Sequence, residues 1–419
     1  MIVTTNASLL AEHFADTRNQ TEKICAPLRT EDYVAQPIVD VSPPKWHLAH
    51  TTWFFEEFIL HKYMKGYKPF HPEYAFLFNS YYISMGERWQ RPMRGNLTRP
   101  GVEEIYQFRK YVDEHMMEFL ENGCSKEVEE LLLIGINHEQ QHQELLMTDI
   151  KYILGSNPLF PAYDKSIRIP KADDPGELRF DVFDEGVYPI GFEGEGFCYD
   201  NELAAHQVFL HKFGLANRLI TKGEYLNFMR DGGYSQHHLW LSDAWDWINE
   251  NEVTSPLYWH NIDGTWHEYT LAGLKPVDEN APMTHVSLYE ADAYSHWAGL
   301  RLPTEFEWET ACRKLHKSAT NQDNFVDRGI LHPYQTSQLH DMLGNTWEWT
   351  NSAYLPYPRY KKAPGAIGEY NGKFMMNQMV LRGGSCATPQ NHIRISYRNF
   401  FHPYLRWQFT GIRLAKDIE

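Results

Sequence analysis

The run Asn137-His138-Glu139-Gln140-Gln141-His142-Gln143-Glu144 places two histidines four residues apart. On a helix such residues share one face, about 5–6 Å apart at Cβ. Two imidazoles so placed can meet on a single metal ion. A third ligand must come from elsewhere in the chain. The best source is the stretch Trp46-His47-Leu48-Ala49-His50-Thr51-Thr52-Trp53-Phe54-Phe55-Glu56, which offers His47 and His50. Three histidines drawn from two helices would leave coordination positions open for substrates.

The same run satisfies H-E-x-x-H, the pattern of metal-dependent proteolysis in which Glu139 would be the general base. That pattern needs a third ligand downstream. Thr148 stands six residues after His142, and Glu144 is too close along the same helix. The next acids are Asp149 and Asp164, with Glu177 beyond a proline-rich segment. The protease reading is therefore disfavoured. A plainer alternative, two histidines bonded within a packed core, is weakened by the upstream histidines.

The elements that must position these residues are helical. Apolar residues in Ser8–Cys25 read as one helix, and Pro43-Pro44 open a second over Lys45–Lys62, as proline suits a first turn. A third is expected over Val102–Asn122. Ser125 is the expected N-cap of a long fourth helix to about Ile153, with Glu127 and Glu129 in its first turns. Four such helices suggest an up-down bundle. The proline-rich stretch 156–177 reads as a linker between a bundle over 1–155 and a second domain over 178–419. In that second domain helical periodicity fades, and helices are expected only at Thr221–Gly232 and Ser287–Gly299.

At 419 residues with 15% aromatics, the chain is long enough for two or three packed domains. Its formal charge of −16 argues against nucleic acid and against a basic membrane-binding surface. The apolar run Leu131-Leu132-Leu133-Ile134 is far too short to span a bilayer, and Met1–Gln20 lacks the pattern of a signal peptide. The five cysteines (Cys25, Cys124, Cys198, Cys312 and Cys386) are scattered and form no C-x-x-C pair. They read as reduced thiols of a cytoplasmic protein.

The second half carries an ordered set of motifs: Tyr188-Pro189-Ile190-Gly191, Pro282-Met283-Thr284-His285-Val286-Ser287, and Ala291-Asp292-Ala293-Tyr294-Ser295-His296-Trp297. Arg301-Leu302-Pro303-Thr304-Glu305-Phe306-Glu307-Trp308-Glu309 follows, then Asp341-Met342-Leu343-Gly344-Asn345-Thr346-Trp347-Glu348-Trp349, Leu381-Arg382-Gly383-Gly384-Ser385 and Gly411-Ile412-Arg413-Leu414. Together they resemble the formylglycine-generating-enzyme domain, a mixed fold of the C-type-lectin kind, over roughly 178–417. That family's oxidases bind copper through a cysteine pair after Gly-Gly-Ser. Here Cys386 has no second cysteine nearby, so the resemblance implies the fold without that oxidase chemistry. The Asp341–Trp349 motif is expected to build the fold.

The first half resembles a DinB-like four-helix bundle. The two together resemble the ergothioneine sulfoxide synthases of the EgtB type, an α+β multidomain architecture. The resemblance implies an Fe(II), O2-dependent enzyme that joins a cysteine-type thiol to hercynine, the Nα-trimethylated histidine. By that pattern the iron ligands are His50, His138 and His142, with His47 as the competing upstream choice. Gln141 matches a residue that touches hercynine. Tyr81 and Tyr82 match a tyrosine pair near the iron and are candidate proton donors. That likeness also favours free cysteine over γ-glutamylcysteine. Substrate carboxylates call for guanidinium forks, which Arg88, Arg91 and Arg94 supply. A trimethylammonium group needs aromatic faces, and Phe400 and Phe401 are the candidates. Related ovothiol- or selenoneine-type synthases, and a metal-dependent thiol transferase, stay open as alternatives.

Overall fold

A computed structural model describes residues 3–80, 82, 85–316, 318–320, 322–334, 341–362, 368 and 370–419. Two compact units divide the chain, the first ending at Tyr163 and the second beginning at Asp164.

The first unit is helical: α1 Val3–Cys25, α2 Pro44–Phe55, α3 His61–Tyr63, α4 Tyr74–Phe78, α5 Val102–Glu121 and α6 Lys126–Gly155. Helices α1 and α2 each pack against both α5 and α6, which makes the expected bundle. Pro44 sits in the first turn of α2, where its missing N–H costs nothing. Every residue of α2 is buried, so this helix is the centre of the bundle rather than an amphipathic face. At the start of α6 the Ser125 hydroxyl accepts the Val128 N–H, and Glu127 and Glu129 face the positive end of the helix dipole.

One glycine sets how closely α2 and α6 approach. A Cβ at Gly135 would lie 2.5 Å from the Phe55 ring and 2.9 Å from the Phe54 ring. Glycine within a helix costs about 1 kcal/mol against alanine. Here it lets two aromatic side chains of α2 lie against the α6 backbone, one turn before His138.

The second unit opens with β1 Phe180–Phe183, β2 Gly186–Ile190, β3 His206–Leu210 and β4 Phe213–Ala216, followed by α7 Lys222–Arg230 and α8 Ser242–Glu250. It continues through β5 Trp259–Ile262, β6 Thr265–Thr270, β7 Gly273–Pro276, α9 Leu288–Trp297 and α10 Glu305–Leu315. It closes with β8 Trp347–Ala353, β9 Met379–Arg382, β10 Asn399–Phe401, β11 Thr410–Gly411 and β12 Ala415–Asp417. The sheet orders are β1-β4-β12, β2-β3, β5-β6-β7 and β10-β9-β8-β11, and among these strand pairs of the described residues only β8–β11 is parallel.

Helices α7 and α9 fall where they were expected, each opened by a capping box, Thr221 with Glu224 and Ser287 with Glu290. Helices α8 and α10 were not anticipated. The second begins inside the Arg301–Glu309 motif and runs past it to Leu315, with Thr304 and Glu307 forming the same reciprocal cap. No helix among the described residues is long and apolar enough to cross a membrane.

Candidate metal centre

Helix α2 contributes His50 and α6 contributes His138 and His142. Their ring nitrogens come within 4.8 Å of one another, and all three residues are buried. His50 Nε2 and His138 Nε2 are 3.2 Å apart. Two ligands about 2.1 Å from a common ion lie about 3.0–3.4 Å apart, so this spacing fits one edge of a coordination shell.

Local packing fixes the His50 ring. His50 Nδ1 is 2.6 Å from the Phe78 carbonyl, which directs Nε2 toward His138. Helical spacing places Trp46 one turn before His50 and Trp53 one turn after, on the same face. The imidazole is sandwiched between them, with centroids 4.6 Å from Trp46 and 5.5 Å from Trp53 and planes tilted by only 12° and 16°.

The three imidazoles resist protonation. Burial, and next the neighbouring His138, hold His50 well below its ordinary value. Burial lowers His138 to about 3. His142 is held well below its usual range by burial and by His138 and His50. A set of neutral nitrogen donors in a dry pocket suits a divalent transition ion. The residues present therefore fit the metal that the sequence resemblance implies.

Glu139 is not poised as a base. Its carboxylate accepts hydrogen bonds from Arg18 Nη1 at 2.7 Å, Arg109 Nη2 at 2.6 Å and Thr21 Oγ1 at 2.6 Å. Burial alone would raise this carboxyl, but Arg109 and Arg18 overcome it and hold the group at about 2. One step along the helix from His138, the side chain serves the α1 and α5 interface instead. The H-E-x-x-H match therefore lacks its general base.

His47, the competing upstream choice, is not in the converging set. Its Nδ1 is 2.9 Å from His142 Nδ1, and its Nε2 is 3.0 Å from Asp149 Oδ2. The same Asp149 oxygen accepts the Ser42 N–H at 2.8 Å. Asp149, the first acid of α6 downstream of Glu144, therefore joins His47 and not a protease site. The signal that could have found it is periodicity: residues 138, 142 and 149 fall on one helix face.

Of the remaining candidates in the first unit, Arg94 is buried while Arg88 and Arg91 are exposed. The Arg94 guanidinium lies 3.3 Å over the Trp46 ring, whose far neighbour is His50. Arg94 Nη1 donates to Ser42 Oγ at 2.9 Å and Nη2 to Ser80 Oγ at 3.1 Å. Its Nε is buried with no acceptor among the described residues. Burial holds this group well below its ordinary value, with Arg91 adding to the effect. Arg88 donates to the Ser80 carbonyl at 3.1 Å and Arg91 to the Asp40 carbonyl at 2.5 Å. Tyr82 is buried with its ring 5.6 Å from Trp53, and the Asn79 side chain brackets its backbone. Tyr81 lies outside the described residues. Gln141 is half-buried on α6 between the two histidines.

In the second unit, Phe400 and Phe401 are neighbours on β10, so their side chains leave opposite faces of the strand. Phe400 stacks on Tyr354 at 4.0 Å, and Phe401 meets Trp407 edge-on at 6.2 Å.

Comparison with known proteins gives the arrangement its family. Residues 13–146 match the DinB superfamily, and residues 176–335 and 332–418 match the sulfatase-modifying factor enzyme 1-like domain. Hercynine oxygenase of Mycobacterium tuberculosis is 33% identical over 307 residues, which span 68% of this chain and 70% of that protein. The chain belongs to the ergothioneine sulfoxide synthase family. A second member of that family, hercynine oxygenase of Mycolicibacterium smegmatis, is also 33% identical, across 68% of this chain and 71% of its own length. Ergothioneine biosynthesis protein 1 of Schizosaccharomyces pombe is 27% identical over 53% of this chain and 28% of its own. In this chain the converging histidines lie within the segment that matches the DinB superfamily.

Proposed function

We propose that this chain is an Fe(II)- and O2-dependent synthase that joins the sulfur of cysteine or γ-glutamylcysteine to the imidazole C2 of hercynine. The observation that carries this reading is the convergence of three buried, neutral imidazoles in a chain of this family. In the reaction the hercynine C2–H and the thiol S–H break, and a C–S and an S–O bond form. O2 takes four electrons, leaving one oxygen on sulfur and the other as water. Iron held by His50, His138 and His142 would supply the redox chemistry that O2 requires.

The chain's own residues bind and orient. Arg94 is the strongest candidate for the thiol substrate's carboxylate. A buried guanidinium without a carboxylate partner costs free energy that an arriving anion would offset. Arg88 and Arg91, on the same loop, offer further cationic contacts. Gln141, next to His142 along α6, offers an amide for the hercynine imidazole. Tyr82 can donate a phenolic proton beside Trp53, and Tyr81 is proposed for the same step. Of Phe400 and Phe401, whose side chains leave opposite faces of β10, one ring is assigned to the trimethylammonium group, a contact worth about 0.5–2 kcal/mol. Five cysteines without a disulfide support a reducing, cytoplasmic setting.

The test is product mass spectrometry with hercynine, 18O2 and each thiol in turn. A sulfoxide carrying one labelled oxygen, with one thiol preferred, is expected. Thiol conjugation to an electrophilic acceptor, with no hercynine-dependent O2 uptake, would instead establish a thiol transferase.

A further inference from the structure

Asp149, His47 and His142 form a continuous buried chain that the triad alone does not require. Asp149 Oδ2 accepts from the Ser42 backbone N–H at 2.8 Å and lies 3.0 Å from His47 Nε2. A carboxylate can only accept, so His47 carries its proton on Nε2 and presents Nδ1 as an acceptor. His47 Nδ1 faces His142 Nδ1 at 2.9 Å, so the proton of that contact belongs to His142. His142 is then protonated on Nδ1, and its Nε2 lone pair is left for a metal. All three residues are at most 9% exposed, so water does not compete for these bonds.

We propose that His47 and Asp149 are positioning residues for the metal. They lock His142 into its Nε2-donor tautomer, and the carboxylate charge, passed through His47, strengthens that nitrogen as a ligand. This rests on the reading of His50, His138 and His142 as the metal ligands. Outer partners of metal-bound imidazoles typically change affinity by about 10–100-fold when removed. The design draws on three segments: the turn at Ser42, helix α2 and helix α6. The tautomer is thus set by the same packing that brings the ligands together.

The experiment is an anaerobic Co(II) titration of the full chain, followed by visible absorbance, with a thermal melt of each metal-free variant. His47→Phe keeps a flat ring but removes the acceptor, and should weaken Co(II) binding about 10–100-fold. Asp149→Asn can keep both hydrogen bonds through its amide oxygen while losing the charge. It should weaken Co(II) binding by a smaller factor without shifting the metal-free melt. His138→Ala serves as the control for the triad. Loss of Co(II) in His138→Ala with wild-type affinity in Asp149→Asn and His47→Phe would overturn the relay and leave the triad standing. Undiminished binding in His138→Ala would instead reject the triad itself. Should His47→Phe fail to fold, Asp149→Asn decides alone, and wild-type affinity there overturns the proposal.

Discussion

In the second unit Arg413 meets Glu348 through two bonds, Nε to Oε2 at 2.7 Å and Nη2 to Oε1 at 2.8 Å. In the first unit His50, His138 and His142 meet one another. Both clusters are buried, yet they differ in what they need. The Arg413 fork and the Glu348 carboxylate satisfy each other, and Trp308 Nε1 donates to the same carboxylate at 2.7 Å. Arg382 likewise bonds Glu309 at 2.6 Å and Glu305 at 3.2 Å, while Arg398 bonds Glu305 at 2.8 Å. These are closed circuits of opposite charge, and they hold a fold of short strands together. The triad gathers electron pairs with no positive charge among its ligands, so it gains most from an added cation. A closed cluster speaks of scaffold, and an open one of ligand.

The sharpest break of this contrast is His138→Ala. The variant should stay folded, lose its iron and form no sulfoxide, as read by metal analysis and product mass. Removing one partner of a closed circuit should act on stability instead. Arg413→Met strands the buried Glu348 and should cost about 3–5 kcal/mol, measured by urea unfolding. Arg94 tests whether a half-open cluster behaves as a substrate site. Arg94→Ala should lower kcat/KM for the thiol by about 10–100-fold, the loss of a charged hydrogen bond worth about 1.5–3 kcal/mol. Arg94→Lys should recover only part, because a point charge cannot reproduce the fork.

A pH-dependent effect concerns a single acid in the second unit. Burial raises Asp341 from an ordinary 3.8 to about 7, against the pull of Arg413 and with help from Asp323. Between those values the native state holds a proton that the unfolded chain has lost. Its contribution is therefore complete below the unfolded value and disappears as pH rises through about 7. Asp341→Asn should flatten that decline, seen as a smaller difference between urea midpoints at about pH 5 and about pH 8.

Much of this was legible in the chain because two kinds of signal survive in sequence. Helical spacing gave His138 and His142 a common face, and Ser125 marked the start of their helix. The ordered motifs of the second half marked a fold, and the structure explains why they do so. Glu305, Glu309, Glu348, Arg382 and Arg413 all lie in those motifs and supply the buried circuits. Their role is architectural, which is why they identify the domain without stating its chemistry.

What stayed hidden depends on pairing across helices. The choice between His47 and His50 turns on which ring meets His138 and which meets Asp149, both on α6, and spacing within α2 alone leaves both open. Glu139 sits in a motif that names it a base, and only Arg18 and Arg109, on two other helices, show that it is saturated. Helix α10 begins inside the Arg301–Glu309 motif, where the Thr304 and Glu307 capping box is the local mark of a helix start.

The most direct test of the central claim is iron stoichiometry joined to oxygen uptake. The protein is loaded with Fe(II) without air, freed of excess metal, and exposed to O2 with hercynine and cysteine or γ-glutamylcysteine. One iron per chain, and O2 consumption that requires hercynine and a thiol together, is the expected result. Tight iron with no hercynine-dependent uptake would contradict the assignment and direct attention to another imidazole substrate.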